Sequence, residues 1–299
     1  MLTSAIAMAT GSWSTLLSYW QLTKPKVVAA IVFTACVGML LASRSRPAVS
    51  LVLLACSGIW LAAASAAALN HVIDHKLDAA MRRTRRRPLP SGKLTPRSAL
   101  VFAVVLGLAA MTVLLLGVNV LTAVLTLGSL IGYSLLYTVW LKHLTPQNIV
   151  IGGAAGAAPP LLGWAAVQGT VDANAWLLFL IVFVWTPPHF WALAVARRAE
   201  YAKAGVPMLP VTHGVEFTCT HILLYAILLC PITSLPFLTG LSGVGYLAGA
   251  AVLNGIFVRR ACSLKATCTP ERAMRTFRYS IAYLLLLFTL LLVDHHYRP

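Results

Sequence analysis

The chain reads as an all-α, polytopic membrane protein of about nine transmembrane helices, and three observations predict this. Of its 299 residues 59% are hydrophobic and only 10% charged, with a mean hydropathy of +0.83, a balance outside the range of soluble domains of this length. The apolar runs are long enough to cross a hydrocarbon core of about 30 Å. No run alternates with the period of a strand, and in lipid a helix satisfies its own backbone hydrogen bonds.

Taken in order, the first span is 27–42, a short run that follows Lys24 and Lys26. The second, 51–69, ends where the apolar pattern gives way to a strongly basic loop. The third and fourth, 98–117 and 120–141, are joined tightly. The fifth, 149–168, contains Gly152 and Gly156 at a spacing that suits close helix packing; it lacks the Gly-Lys-Ser/Thr that would make Gly152–Ala158 a phosphate loop. Pro159-Pro160 in this span and Pro187-Pro188 in the sixth, 176–196, are expected to interrupt or kink their helices. The seventh is 218–235, the eighth a short 244–258, and the ninth 277–293. The whole reads as a single membrane domain over 1–299, with an N-terminal tail 1–23 and a C-terminal tail 294–299. Asp294-His295-His296 in that tail is expected to be solvated rather than metal-binding.

The net charge of +16 raises nucleic acid as a partner, and the distribution of the charge removes it. If the N-terminus is cytoplasmic, twenty of the 23 Lys and Arg fall inside, against Arg44, Arg46 and Arg298 outside, which is the positive-inside pattern. The first 23 residues carry no Lys or Arg, so neither a signal peptide nor a transit peptide is expected, and a bacterial inner membrane is the simplest location. The cytoplasmic connections are then 71–97, 142–148, 197–217 and 259–276. The six cysteines show no Cys-x-x-Cys spacing and read as reduced, inert thiols.

Only seven residues are acidic, so Asp74 and Asp78 at the end of the second span stand out. With Asn70 they recur every four residues. On a continuous helix each step of four turns roughly 400° and rises about 6 Å, which puts two carboxylates and an amide on one ridge. Magnesium is commonly held by one or two carboxylates together with substrate phosphate oxygens. Arg82, Arg83, Arg85, Arg86 and Arg87 follow directly, and guanidinium forks suit phosphate. Carboxylates for a metal and arginines for an anion, beside an apolar interior, describe a site for a magnesium diphosphate carrying a long apolar tail. Helix-end acids paired with neighbouring cations are the plainer reading of the same residues.

The string Asn70-x-x-x-Asp74-x-x-x-Asp78-x-x-Met81-x-Arg83-Thr84-x-x-Arg87-Pro88-Leu89 resembles the first aspartate motif of the UbiA superfamily of intramembrane prenyltransferases. Tyr137-Thr138-x-x-Leu141-Lys142-x-x-Thr145-Pro146-Gln147-Asn148, Trp185-Thr186-Pro187-Pro188-His189-Phe190-Trp191 and Ala204-Gly205-Val206-Pro207-Met208-Leu209-Pro210 narrow the resemblance to its protoheme IX farnesyltransferase branch. The resemblance implies nine helices around a central cavity and transfer of a farnesyl group from farnesyl diphosphate to a vinyl group of heme B, with water added, giving heme O. It further implies Mg2+ as cofactor, with Asn70, Asp74 and Asp78 organising metal and diphosphate. Arg83, Arg87 and Lys142 become the diphosphate cations, with Arg197 and Lys203 beside them.

Other branches carry paired aspartates after the sixth span, where this chain has Glu200 with Tyr201, so a second metal is in doubt there and Lys203 is a candidate to neutralise charge instead. His189 reads either as a hydrogen-bonded core histidine or as a heme-binding group. On a continuous helix Glu200, eleven residues on, lies roughly 20° away by rotation, which would point both into one cavity. His71 and His75 flank the aspartates and are expected to tune or shield them. A quinone or other aromatic acceptor stays open, as does docking to a heme A synthase or terminal-oxidase assembly partner. A transporter is the remote alternative, disfavoured because the polar cluster lies at one end rather than near the midplane.

Overall fold

The computed structural model describes residues 13–43 and 45–297, so Arg44 and Arg298 of the charge count, and the first twelve residues, lie outside the described residues. Within it the chain is helical throughout. Helices α1 (Trp13–Leu22) and α2 (Pro25–Leu41) meet at a 48° bend. They are followed by α3 (Val49–Ile73), the short α4 (His75–Ala80), α5 (Pro96–Gly117) and α6 (Val120–Ile131). A π-helical stretch Gly132–Leu141 extends α6, then come α7 (Lys142–Leu144), α8 (Asn148–Ala157) and α9 (Pro159–Gln168). The chain closes with α10 (Ala173–Ala196), α11 (Arg198–Lys203), α12 (Leu209–Thr212), α13 (Val215–Leu238), α14 (Val244–Thr267) and α15 (Pro270–Tyr297). Among the described residues eight helical stretches are long and apolar enough to cross a membrane, or nine if α1 with α2 counts as one bent span.

The helices close on themselves. α3 packs on α5, α5 on α6, the π stretch on α8, α8 on α10, and α10 on α13 and α15; α15 then reaches α2, which returns to α3 and α9. Lipid takes the place of water outside, so large apolar side chains face outward without cost: Val101, Val105 and Leu108 of α5 are all exposed. Inside, α2 and α9 approach until a Cβ on Gly38 would overlap the Pro160 carbonyl and one on Gly163 the Ala35 carbonyl.

Several boundaries differ from the sequence expectation. The apolar run 51–69 is only the body of α3, which continues to Ile73. Segment 259–276 is not a loop: α14 runs to Thr267 and α15 starts at Pro270, because the charged residues there are good helix formers and run past the apolar core. Pro159-Pro160 does divide α8 from α9, with proline in the first turn where its missing N–H is harmless. Pro187 and Pro188, by contrast, sit inside an unbroken α10. Gly152 approaches the Tyr137 ring and Gly153 the Thr186 side chain, while nothing crowds Gly156. The expected C-terminal tail from 294 is helical to Tyr297, and Asp294 accepts hydrogen bonds from the Gly243 and Tyr246 amides at the start of α14. It is an N-terminal clamp for α14 rather than a solvated acid. The six cysteines are free thiols.

Candidate active site

Asn70, Asp74 and Asp78 do share one ridge, although the helix through them is interrupted. α3 ends at Ile73 and α4 begins at His75, with Asp74 as the hinge at φ −84°, ψ 1°. The four-residue backbone bonds survive across it: Asp74 N–H donates to the Asn70 carbonyl (3.0 Å) and Asp78 N–H to the Asp74 carbonyl (2.8 Å). The register predicted for a continuous helix is therefore kept. All three side chains are buried, Asp74 and Asp78 at 4% exposure each. Buried carboxylates in an apolar protein need partners, and these have them.

Asp74 Oδ2 accepts from Asn70 Nδ2 (2.7 Å) and from Lys142 Nζ (2.5 Å). Asn70 Oδ1 in turn accepts from Lys24 Nζ (2.5 Å). Asp78 Oδ2 accepts from Arg87 Nη1 (2.7 Å), and the loop carrying Arg87 is tied back by Thr84 Oγ1, which donates to the Asp78 carbonyl. Five segments thus meet: the α1–α2 bend supplies Lys24, α3 and α4 the amide and carboxylates, the basic loop Arg87, and the start of α7, just after the π stretch, Lys142. Asp74 Oδ1 is buried with no hydrogen-bond partner, and both ring nitrogens of the adjacent His71 are in the same state. His71 is buried beside the aspartates, and His75 bonds the Val72 carbonyl.

A second group gathers around Tyr201 on α11. Burial pushes the Tyr201 phenol above its ordinary pKa, and the guanidiniums of Arg83, Arg87 and Arg197 oppose that rise, so the segment after α10 faces the basic loop. Arg197 Nη1 bonds Glu200 Oε1 at 3.0 Å. Glu200 therefore carries one arginine and lies beside the arginines of the first motif, whereas Lys203 is exposed and makes no hydrogen bond among the described residues. Tyr133 and Tyr137 of the π stretch lie within electrostatic reach of Asp74.

His189 is not part of either group. Its Nδ1 pairs with Ser280 Oγ (2.7 Å), and its ring stacks between Trp185 (4.3 Å between centroids) and Phe277 (4.6 Å). The expectation that it shares a helix face with Glu200 fails because the helix breaks at Arg197, at φ −120°, ψ 20°. Sequence reasoning missed Lys24 as a site residue, counting it only as a topology charge. The signal available was the Lys24-Pro25-Lys26 string, which places two cations and a helix-starting proline directly before the first apolar span.

The residues present fit a magnesium diphosphate. Two carboxylates on one ridge, one with a free buried oxygen, match a cation that takes its remaining ligands from phosphate and water. Among the described residues no group of three or more His, Cys, Asp and Glu gathers as a metal cage.

Fold and site together define a polytopic membrane protein whose buried chemistry is concentrated at one end of an apolar helical bundle. Residues 31–291 match the UbiA prenyltransferase family, and the chain belongs to it. The protoheme IX farnesyltransferase of Methylococcus capsulatus is 57% identical over 285 residues, covering 95% of each chain. That of Nitrosococcus oceani is 54% identical over 293 residues, covering 98% of each. Among solved structures, a digeranylgeranylglyceryl phosphate synthase has the same fold with a TM-score of 0.79 at 20% identity, over 94% of this chain and 99% of that one. A UbiA homolog from Archaeoglobus fulgidus bound to DMAPP and Mg2+ matches with a TM-score of 0.62 at 15% identity, over 91% of this chain and 99% of that one.

Proposed function

We propose that this protein transfers the farnesyl group of farnesyl diphosphate to a vinyl group of heme B, with addition of water, to give heme O. The observation that carries the transfer chemistry is the buried cluster of Asp74 and Asp78, hydrogen-bonded to Lys142 and Arg87, with Lys24 joined to it through Asn70. Extensive identity to protoheme IX farnesyltransferases supports heme as the acceptor.

Asp74 and Asp78, oriented by Asn70, would hold Mg2+, which supplies positive charge to the oxygens of the departing diphosphate. Arg87, Lys142 and Lys24 already converge there, and Arg83 and Arg197 stand across Tyr201. When the diphosphate enters, Arg87, Lys142 and Arg197 exchange carboxylate partners and Lys24 its Asn70 amide oxygen for phosphate oxygens, and the cations stabilise charge as it grows on the leaving group. The C1–O bond of the farnesyl chain breaks, and the vinyl carbon of heme bonds to C1. Water adds its oxygen to the carbocation left on the vinyl group and releases a proton. The alanine-rich stretch 62–68 of α3, immediately below Asn70, keeps the surroundings apolar and lined by small side chains, which limits water near the allylic cation. Glu200 is assigned to holding Arg197 against the diphosphate. His189, fixed through Nδ1 and making no hydrogen bond through Nε2 among the described residues, is assigned to orienting the heme.

The test uses purified protein in detergent with heme B, farnesyl diphosphate and Mg2+, following heme species by chromatography and mass. A hydroxyethylfarnesyl heme that disappears in Asp74→Asn and Asp78→Asn is the expected result. Diphosphate release with an aromatic acceptor but never with heme would retain the family chemistry and reject heme.

A further inference from the structure

Six of the chain's basic residues lie on α14 and α15, far along the sequence from the aspartates, and the proposed chemistry uses none of them. Four converge. Arg259 and Arg260 from the end of α14, and Arg272 and Arg275 from the start of α15, line a cleft of about 370 Å³ together with Ser263 and Thr276. Topological bias needs cations on this side of the bilayer, and it has no need to gather them in a cleft between two helices. Arg272 is held in place by Nη1, which donates to both the Ser263 carbonyl (2.7 Å) and Ser263 Oγ (2.8 Å). Arg260 lies over the Tyr279 ring at 4.9 Å, and its Nε is buried without an acceptor. Arg259 and Arg275 are exposed. None of the four makes an ion pair with a carboxylate among the described residues. The result is a wall of guanidiniums, two fixed and two exposed, with hydroxyls beside them and no carboxylate paired to them among the described residues.

The cleft lies at the same end of the bundle as the aspartates, since the α14–α15 turn (Cys268, Pro270) borders Arg198 and Ala202 of α11. It is also peripheral: α14 packs on α13 and α15, and its main contacts include none with α3 or α4. Above the cleft the helices are apolar and lipid-facing, with Val252 and Ile281 exposed. A cationic cleft at the level where an apolar belt ends is the level of phospholipid headgroups.

We propose that this cleft binds the phosphate of an anionic phospholipid, with Arg272 and Arg260 as fixed donors, Arg259 and Arg275 closing on the headgroup, and the acyl chains lying against α14 and α15. Arginine is suited to this role because its fork meets two phosphate oxygens at once.

The test is lipid retention by the full chain in native mass spectrometry, after reconstitution into phosphatidylcholine nanodiscs with or without phosphatidylglycerol. Arg259→Gln/Arg275→Gln is compared with Lys265→Gln/Arg278→Gln, which removes the same charge outside the cleft. The expected result is preferential retention of phosphatidylglycerol by the wild type, weakened by about 30-fold in the cleft variant and unchanged in the control. Equal melting temperatures in pure phosphatidylcholine establish that both variants fold. Equal losses in the two variants would mean bulk charge attraction and overturn the site. Inorganic phosphate that stabilises the wild type while phosphatidylglycerol is not retained would overturn the lipid and leave free phosphate as the ligand. Retention of heme or farnesyl diphosphate that depends on Arg259 and Arg275 would assign the cleft to substrate and overturn the proposal.

Discussion

Asp74 uses one carboxylate oxygen twice and the other not at all, and that asymmetry organises the residue-scale chemistry. Oδ2 is shared by Asn70 and Lys142 while Oδ1 is buried and bare, so the ion pair neutralises the site without saturating it. Removing one partner of such a buried pair leaves an uncompensated charge, at a cost of about 3–5 kcal/mol. Lys142→Met should therefore lower the melting temperature markedly, and adding Asp74→Asn should recover much of that loss without recovering activity. A double variant as unstable as Lys142→Met alone would mean that the pair is not what Lys142 stabilises. Arg87 differs because its partner Asp78 is only one claim on it. Arg87→Met should cut farnesyl transfer by about 10²–10³-fold, the scale of losing one donor to developing charge, with turnover falling more than substrate affinity. At His189 the relevant readout is spectral. If its Nε2 meets heme iron, heme bound to His189→Ala will show a shifted Soret band, whereas Ser280→Ala, which removes only the anchor, will broaden rather than replace the wild-type spectrum. Identical spectra in all three proteins would return His189 to a packing role.

At the scale of elements, the π-helical stretch Gly132–Leu141 decides where Lys142 points. Its bonds reach one residue further than those of an α-helix, so its residues do not follow the angular step of α6. Thr138 Oγ1, which donates to the Tyr133 carbonyl five residues back (2.9 Å), is one of its fastenings. Deleting a single residue within 132–136 should relax the stretch to α-helix and turn Lys142 by about 100° away from Asp74. The expected result is a folded protein, by helix content and melting, with little transferase activity. The apolar pattern of 120–141 predicts a helix and is silent on its pitch, because both windings keep the same residues in lipid. The same holds for Pro187 and Pro188. A proline pair reads as an interruption, but α10 runs through it unbroken, and the two residues before the pair are tied down: Trp185 Nε1 bonds the Ser280 carbonyl and Thr186 Oγ1 the Val182 carbonyl. The clustering of Asn70, Asp74, Asp78 and Arg87 was legible because these residues are close in sequence and acids are rare in this chain, whereas Lys142 entered only through the family resemblance. Lys24 was not legible, since its meaning depends on a tertiary approach over 46 residues, and the separation of His189 from Glu200 depends on one backbone angle at Arg197.

For the whole molecule, the distribution of charge and the position of the site make one joint statement about orientation. Asp74, Lys142, Arg197 and the α14–α15 turn come to the same end of the bundle, as alternating spans require. The Asp294 clamp on α14 lies at the other end, where Arg46 is the described cation between α2 and α3. The positive-inside rule predicts that the basic end faces the cytoplasm, in which case diphosphate and metal would reach the site from the cell interior. Cys262, exposed between Arg260 and Lys265 on α14, reports this directly. With Cys36, Cys56, Cys219, Cys230 and Cys268 replaced by serine, a membrane-impermeant maleimide should label Cys262 in inverted inner-membrane vesicles and leave it unlabelled in intact spheroplasts. Labelling confined to spheroplasts would reverse the orientation of all the spans at once, since a closed helical ring cannot invert one of them alone. It would also move the aspartates, and the supply of both substrates, to the opposite side of the membrane.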